Sequence, residues 1–431
     1  MTSQHPAFDR THTDDLAAFV RSAPSPYHAA ETVAERLDAA GFRRVEETER
    51  WEDGAAGGRY VVRGGAVVAW YVPEGASPGT PFRVVGAHTD SPNLRVKPQP
   101  DLGSHGWRQV AVEIYGGPLL NSWLDRDLGI AGRLSLRDGT SRLVDVDRPL
   151  LRVAQLAIHL DRSANDALTL DRQRHLQPLW GLGDAEEGDL ISFLAQEAGV
   201  AEADVTGWDL MAHDVQPPAY LGRDRELFAS PRLDNLLSVH ACVAALIRAA
   251  EQPDLAHIPV MAAFDHEEAG SGSDTGAGGP LLGRVFERSV LARGGDREDL
   301  LRALAGTVCA SSDVGHAVHP NYAERHDPSH HPRANGGPIL KSNVNQRYAT
   351  DGAGRAAFAA ACERAGVPFQ HFVSNNTVPC GTTIGPITAA RHGITTVDVG
   401  VALLSMHSAR ELAGADDPHL LASALAAFLE S

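Results

Sequence analysis

Cysteine, positive charge and long apolar runs are all scarce in this sequence, and each shortage removes a class of protein. The 431 residues contain four cysteines, Cys242, Cys309, Cys362 and Cys380, and no C-x-x-C pair. Thiols so few and so scattered do not build a disulfide framework and read as reduced structural groups. Lys and Arg number 38 against 55 Asp and Glu, a formal net charge of -17. Such a surface repels phosphate backbones and anionic headgroups, so neither nucleic acid nor a membrane is expected as a partner. A small acidic substrate stays admissible, because a site can be locally basic inside an acidic protein. Residues 1–15 show no apolar core and no cleavage pattern, and no apolar stretch reads as long enough to span a bilayer. The cytoplasm is the expected location. The glycine-rich run 269–279 lacks a following Gly-Lys-Ser/Thr, so it reads as a flexible loop rather than a phosphate cradle.

What is present is ordinary globular material, 43% hydrophobic and 22% charged, long enough for two or three domains. Apolar residues spaced by three and four over 13–40 predict two helices, split by the Ser22-Ala23-Pro24-Ser25-Pro26 breaker. Val-rich runs at 59–70 and 82–87 predict strands. From 95 to 229 the texture changes to short strand-like runs (110–115, 143–146, 204–214) broken by Gly and Asp, with one helix at 189–199. Beyond 230, helices and apolar strands alternate: helices at 235–250, 296–304, 354–365, 387–392 and 418–429, strands at 258–264, 307–310, 369–373 and 395–399. The expected architecture is α/β, a mixed sheet covered by helices on both faces. Residues 1–94 with 230–431 would form the catalytic domain, and 95–229 a smaller inserted β-rich domain. There is no internal repeat and no low-complexity tail.

In open α/β sheets the ligand site lies beyond the carboxyl ends of the strands. Here those ends carry His88-Thr89-Asp90, then Asp265-His266-Glu267-Glu268, then Ser312-Asp313, and beyond the last strand Met406-His407-Ser408; Asp234 opens an apolar helix. Taken singly, Asp234 reads as a helix cap and the Glu pair as loop charge. Jointly, two imidazoles and three carboxylates suit two zinc-type ions if one carboxylate bridges them. His88, Asp234 and Asp313 are assigned to one ion; Asp234, Glu268 and His407 to the other, with Asp234 as bridge. Asp90, two residues from His88, supports catalysis by orienting that imidazole. Adjacent side chains diverge, so while Glu268 ligates, Glu267 stands free to shuttle a proton. Cys380, in a turn after Pro379, reads as structural.

These residues resemble the aspartyl aminopeptidase family, zinc exopeptidases that remove N-terminal Asp or Glu. The similarity runs through Ser25-Pro26-Tyr27-His28-Ala29, Ala87-His88-Thr89-Asp90-Ser91-Pro92, Leu156-Ala157-Ile158-His159-Leu160, Ser230-Pro231-Arg232-Leu233-Asp234-Asn235 and Asp265-His266-Glu267-Glu268. It continues in Ser312-Asp313-Val314-Gly315-His316-Ala317, Asn345-Gln346-Arg347-Tyr348-Ala349-Thr350, Cys380-Gly381-Thr382-Thr383-Ile384-Gly385-Pro386 and Met406-His407-Ser408-Ala409-Arg410-Glu411. The H-x-D and Glu-Glu elements recur in several two-zinc peptidase families; the nine segments in this order are specific.

The resemblance implies two zinc ions per subunit (Mn or Co as substitutes), peptide substrates with a free N-terminus, and an inserted domain that mediates dimers building to a tetrahedral dodecamer. It implies that His159 reaches an active site from a neighbouring subunit, as a substrate contact first and an extra metal ligand second. Read from the residues alone, His159 is a core histidine on an apolar strand. His316, Lys341, Arg347 and Tyr348 resemble substrate-pocket residues, and a buried Lys341 cation would select an acidic side chain; the plain alternative for Lys341 is a surface lysine. One departure stands out. The family has an acid just before the Cys-Gly-x-Thr-Ile-Gly-Pro segment, whereas 375–379 here is Asn-Asn-Thr-Val-Pro, which loosens the expected Asp/Glu preference. The competing functions are a two-zinc deacylase or broad-specificity aminopeptidase, and a non-catalytic oligomeric scaffold.

Overall fold

The computed structural model describes residues 10–51 and 54–431. The reading of residues 1–15 as lacking a leader therefore falls partly outside the described residues. Helices Thr11–Ser22 and Pro26–Ala39 come first. Between them Ser25 takes an extended backbone and accepts from His28 N–H, while Pro26 occupies the first helical turn, where its missing N–H costs nothing.

The larger sheet has nine strands, in the order Arg43–Arg44, Gly57–Arg63, Ala66–Val72, Ile258–Phe264, Phe82–His88, Val308–Ser312, Thr395–Gly400, Ile339–Ser342 and Gln370–Val373. The central four, from Ile258–Phe264 to Thr395–Gly400, are mutually parallel, so their carboxyl ends share one edge. Ala66–Val72 and Ile339–Ser342 flank them antiparallel. Side-chain alternation sorts each strand between two cores. Val85 and Ala87 pack with helices Leu233–Ala250 and Asp417–Leu429, whereas Phe82 and Val84 face helix Leu281–Ala292. Coverage on both faces is why Ile258–Phe264 is apolar and buried at every position.

A second, wholly antiparallel sheet orders Ser141–Leu151, Leu128–Leu136, Val205–Asp214, Asn93–Ser104, Trp107–Tyr115 and Leu179–Leu182. It has its own core, where Leu94, Val112, Ile130 and Leu210 meet Leu190 and Leu194 of helix Asp189–Glu197. All its strands come from residues 93–214. Strands Ala219–Leu221 and Leu227–Ser230 pair instead with each other and with Glu411–Gly414 of the larger unit.

Among the elements not legible as such in the sequence are strands Asn93–Ser104 and Leu128–Leu136, helix Leu281–Ala292 and strand Ile339–Ser342. One expectation is corrected. Helix Leu233–Ala250 is long and apolar enough to cross a bilayer by length and composition, but 78% of it is buried inside the protein, as a core helix must be. The glycine-rich run is a loop of turns and bends. It folds on itself through Ser271 N–H to His266 O and Gly278 N–H to Ser271 O, and Thr275 O accepts from Asp265 N–H. A Cβ on Gly276 would stand 2.4 Å from Ser271 O, so glycine permits the tight coil.

Candidate metal centre

The shared carboxyl edge of the parallel strands delivers the charged side chains to one place. His88 ends strand Phe82–His88, Asp313 directly follows Val308–Ser312, and the turn Glu267–Ala269 follows Ile258–Phe264 after Asp265 and His266. Asp234 enters from the start of helix Leu233–Ala250, and His407 from the loop beyond strand Ala402–Leu403. His88, Asp234 and Asp313 each place a ligand-type atom within 4.8 Å of the others, and so do Asp234, Glu268 and His407. Asp234 belongs to both groups. Its Oδ1 lies 3.3 Å from His88 Nε2 and its Oδ2 3.4 Å from His407 Nε2. Asp313 Oδ1 is 3.7 Å from His88 Nε2, and Glu268 Oε1 is 3.4 Å from His407 Nε2. Glu267 Oε2 stands slightly further off, 4.0 Å from His88 Nε2.

Both imidazoles are oriented by a backbone carbonyl. His88 Nδ1–H donates to Asp90 O at 3.0 Å and His407 Nδ1–H to Gly117 O at 3.0 Å. That leaves each Nε2 turned into the cluster, the tautomer a metal ligand requires. The Asp90 carboxylate, fully buried, lies 3.3 Å from His88 Nδ1 and accepts from Tyr115 O–H at 2.7 Å. It also accepts from Glu267 N–H and Glu268 N–H, each at 3.0 Å, and so fixes the turn that carries both glutamates. Asp313 is held close to its neighbour strand, because a Cβ on Gly400 would stand 1.7 Å from Asp313 O.

The electrostatics favour a cation. Burial opposes protonation of His88, yet the neighbouring carboxylates of Asp234, Asp313 and Asp90 hold its pKa well above the usual imidazole range. His407 rises to about 10 against its own burial, chiefly through Asp234 and Glu268. Burial pushes Glu268 well above the carboxylate range, with Asp234 adding to it. Glu267 is raised to about 7 by burial, opposed by His88 and reinforced by Asp313, Asp234 and Asp90. Asp234 Oδ1 and Glu268 Oε1 are buried without a hydrogen-bond donor. Oxygens and imidazole nitrogens converging in this way are the donor set zinc takes, and the residues present fit such ions.

The other expected residues are placed differently. His159 lies on an exposed turn beside Leu156, Ile158 and Leu160, which are 56%, 46% and 76% exposed, and it joins none of the clusters. The core-strand reading of His159 is thus corrected: its apolar neighbours face outward, and the chain turns at Ala157–Asp161 instead of extending. Lys341 is no surface lysine. Strand Ile339–Ser342 buries it to 1% exposure, its ammonium donates to Val314 O at 2.8 Å, and it stands 3.9 Å from Asp313 Oδ2. Tyr348 lies beneath that ammonium, 5.3 Å from ring centre to Nζ. His316 lines an adjoining pocket, and Arg347 is exposed. Among the residues not singled out from sequence, Glu411 matters most. It is buried, raised to about 8 by burial and by Asp234, and accepts from Asp234 N–H at 2.9 Å and His407 N–H at 2.8 Å. One carboxylate therefore ties together the backbones of two clustered side chains. Its signal was available, four residues after His407, although it ends no parallel strand.

Imidazoles and carboxylates gathered on the carboxyl edge of a parallel core define a centre of the metal-dependent hydrolase kind. Residues 19–429 match the family described as aminopeptidase I zinc metalloprotease (M18). The chain belongs to this family and is a zinc metallopeptidase of the aminopeptidase type. It is 75% identical over 426 residues to the probable M18 family aminopeptidase 2 of Streptomyces coelicolor, covering 98% of each chain. With the probable M18 family aminopeptidase 2 of Mycobacterium leprae it shares 52% over 424 residues, 97% of this chain and 98% of that one. Among solved structures, a chain of the Ape4 and Nbr1 complex superposes with a TM-score of 0.94 at 34% identity, over 99% of this chain and 87% of the other. The S. cerevisiae mApe1 dodecamer gives 0.84 at 30%, over 97% and 96%.

Proposed function

We propose that this aminopeptidase is a co-catalytic two-zinc enzyme that removes N-terminal Asp or Glu from peptides in the cytoplasm. The observation that carries the two-ion reading is the position of Asp234, whose two oxygens address two different histidines. His88, Asp234 and Asp313 would hold one ion and Asp234, Glu268 and His407 the other. When bound, such ions supply Lewis acidity and lower the pKa of water. Glu267 supplies the proton traffic. Its carboxylate, 4.0 Å from His88 Nε2 at the edge of the cluster, would take a proton from the attacking water and return it to the leaving amine. Asp90 holds the Glu267 backbone in place for that exchange.

Self-association follows the same line. The mApe1 relative is a dodecamer, and this chain leaves Leu156, Ile158, Leu160, Trp107 and Leu182 exposed on the segment 93–214. We assign dimer contacts to that inserted segment, tetrahedral assembly to the dimers, and His159 to a neighbouring copy's site as a substrate contact. Light scattering on the purified protein tests the assembly, and a monomer would refute it. For the activity, initial rates on Asp-, Glu- and Leu-anilides, with and without chelator, are decisive. Acidic anilides should be cleaved fastest and chelator should stop all cleavage; faster cleavage of Leu-anilide would refute the acidic preference.

A further inference from the structure

Adjoining the metal centre lies a cavity of about 260 Å³. Met406 lines it and directly precedes His407; Tyr348 lines it and underlies Lys341, the neighbour of Asp313. Part of its wall is apolar, where Tyr348 and Phe372 pack edge-on at 6.2 Å within a cluster that includes Ala317 and Ala402, while His316, His319 and His326 also line it. Its rim is different. Arg325 is the one Arg or Lys lining the cavity among the described residues, and no carboxylate lines it among them. The Arg325 side chain is 74% exposed, and its nearest acid, Glu324, is 3.9 Å away. A partly apolar wall with one guanidinium at its rim suits a short methylene stem that ends in a carboxylate.

The loop bearing Arg325 is pinned. Asn375 Nδ2 donates to Glu324 O at 3.2 Å and to His326 O at 3.0 Å, so it grips the backbone on either side of Arg325. His326 also bridges to Ser374. A carboxylate at position 375 has no hydrogen to donate and cannot make these two bonds. The run without an acid at 375–379 thus has a use: the amide stands where only a donor can hold the Arg325 loop.

We infer that Arg325 is a specificity-determining residue that binds the carboxylate side chain of the substrate's N-terminal residue, with Asn375 as its positioning residue. The inference rests on the acidic preference proposed above. Lys341 is placed differently from Arg325: it is buried, its ammonium donates to Val314 O and it stands 3.9 Å from Asp313 Oδ2.

The test is steady-state kinetics of the full-length zinc-loaded protein with Glu- and Leu-anilide, comparing wild type, Arg325→Gln, Arg325→Lys and Asn375→Asp. Arg325→Gln should raise KM for Glu-anilide about tenfold, the loss of one partly exposed charge pair, with kcat and Leu-anilide cleavage little changed. Arg325→Lys should recover part of the loss, and Asn375→Asp should reproduce part of it. L-glutamate binding by calorimetry should weaken in the same order. If wild type prefers Glu-anilide and Arg325→Gln leaves that preference intact, this inference alone is overturned. A wild-type preference for Leu-anilide overturns the acidic reading, and the inference with it.

Discussion

The most informative perturbation of the centre is Asp90→Asn, because Asp90 touches both halves of the machinery without belonging to either ligand group. Its carboxylate accepts from Tyr115 O–H, Glu267 N–H and Glu268 N–H. Asparagine keeps one acceptor oxygen. With that oxygen at the Oδ2 position, the bonds from Tyr115 and Glu268 survive and an NH2 group confronts Glu267 N–H. One hydrogen bond to a charged acceptor is lost, costing about 1.5–3 kcal/mol. The two that survive fall from charge-assisted to neutral, roughly half their former strength. Loss of the charge beside His88 Nδ1 also lowers the basicity of that imidazole, and changes of this kind cost about 10–100-fold in metal affinity or activity. The expected result is a destabilised protein by urea denaturation, weaker zinc retention against a graded chelator, and reduced kcat/KM. Tyr115→Phe should show the stability loss in milder form, since it removes only one donor. An Asp90→Asn protein with wild-type zinc retention and activity would refute the positioning argument, whatever its stability.

Four further outcomes are expected. Glu267→Gln should reduce kcat by about 10²–10⁴-fold while leaving zinc content near wild type by elemental analysis, because the amide keeps the shape and loses the proton acceptor. Glu411→Gln should weaken zinc retention, since one of its two bonds, to Asp234 N–H or to His407 N–H, must be lost. Gly400→Ala should yield little folded protein by circular dichroism, because its Cβ would collide with Asp313 O. His12 is lowered from 6.5 to about 3, by burial first and then by His240 and His419. The unfolded chain takes up that proton first, so stability should fall as pH drops from 6.5 towards 3, and His12→Leu should flatten that slope in denaturation curves at pH 7 and pH 5.

The residues that could be read from the sequence are those whose chemistry sits at an element boundary. His88 and Asp313 end or follow short, largely buried strands bounded by polar residues, and the alternation beyond residue 230 announces the helices between. Lys341 was harder, because Ile339–Ser342 is a four-residue strand that runs antiparallel to its neighbour Thr395–Gly400. Four residues cannot show a period, and only the reversed direction sets the ammonium on Val314 O. Helix Leu281–Ala292 was hidden behind a glycine-rich coil that resembles an open loop. Glu411 closes the segment Met406-His407-Ser408-Ala409-Arg410-Glu411, but its role depends on two backbone N–H groups that no pattern in the sequence brings near it. His159 misled for the opposite reason: an apolar run read as interior lies on the surface of the isolated chain.

The ligand-type side chains are strung from His88 to His407 and meet only once all four parallel strands lie side by side. A ribosome must deliver nearly the whole polypeptide before the last of them exists, so the capacity to cut peptides is withheld from nascent and half-formed copies. Conversely, each cation captured by the finished sheet draws the conformational equilibrium of the entire molecule towards the native state. Zinc supply would then govern how long this peptidase survives in the cell as well as how fast it works.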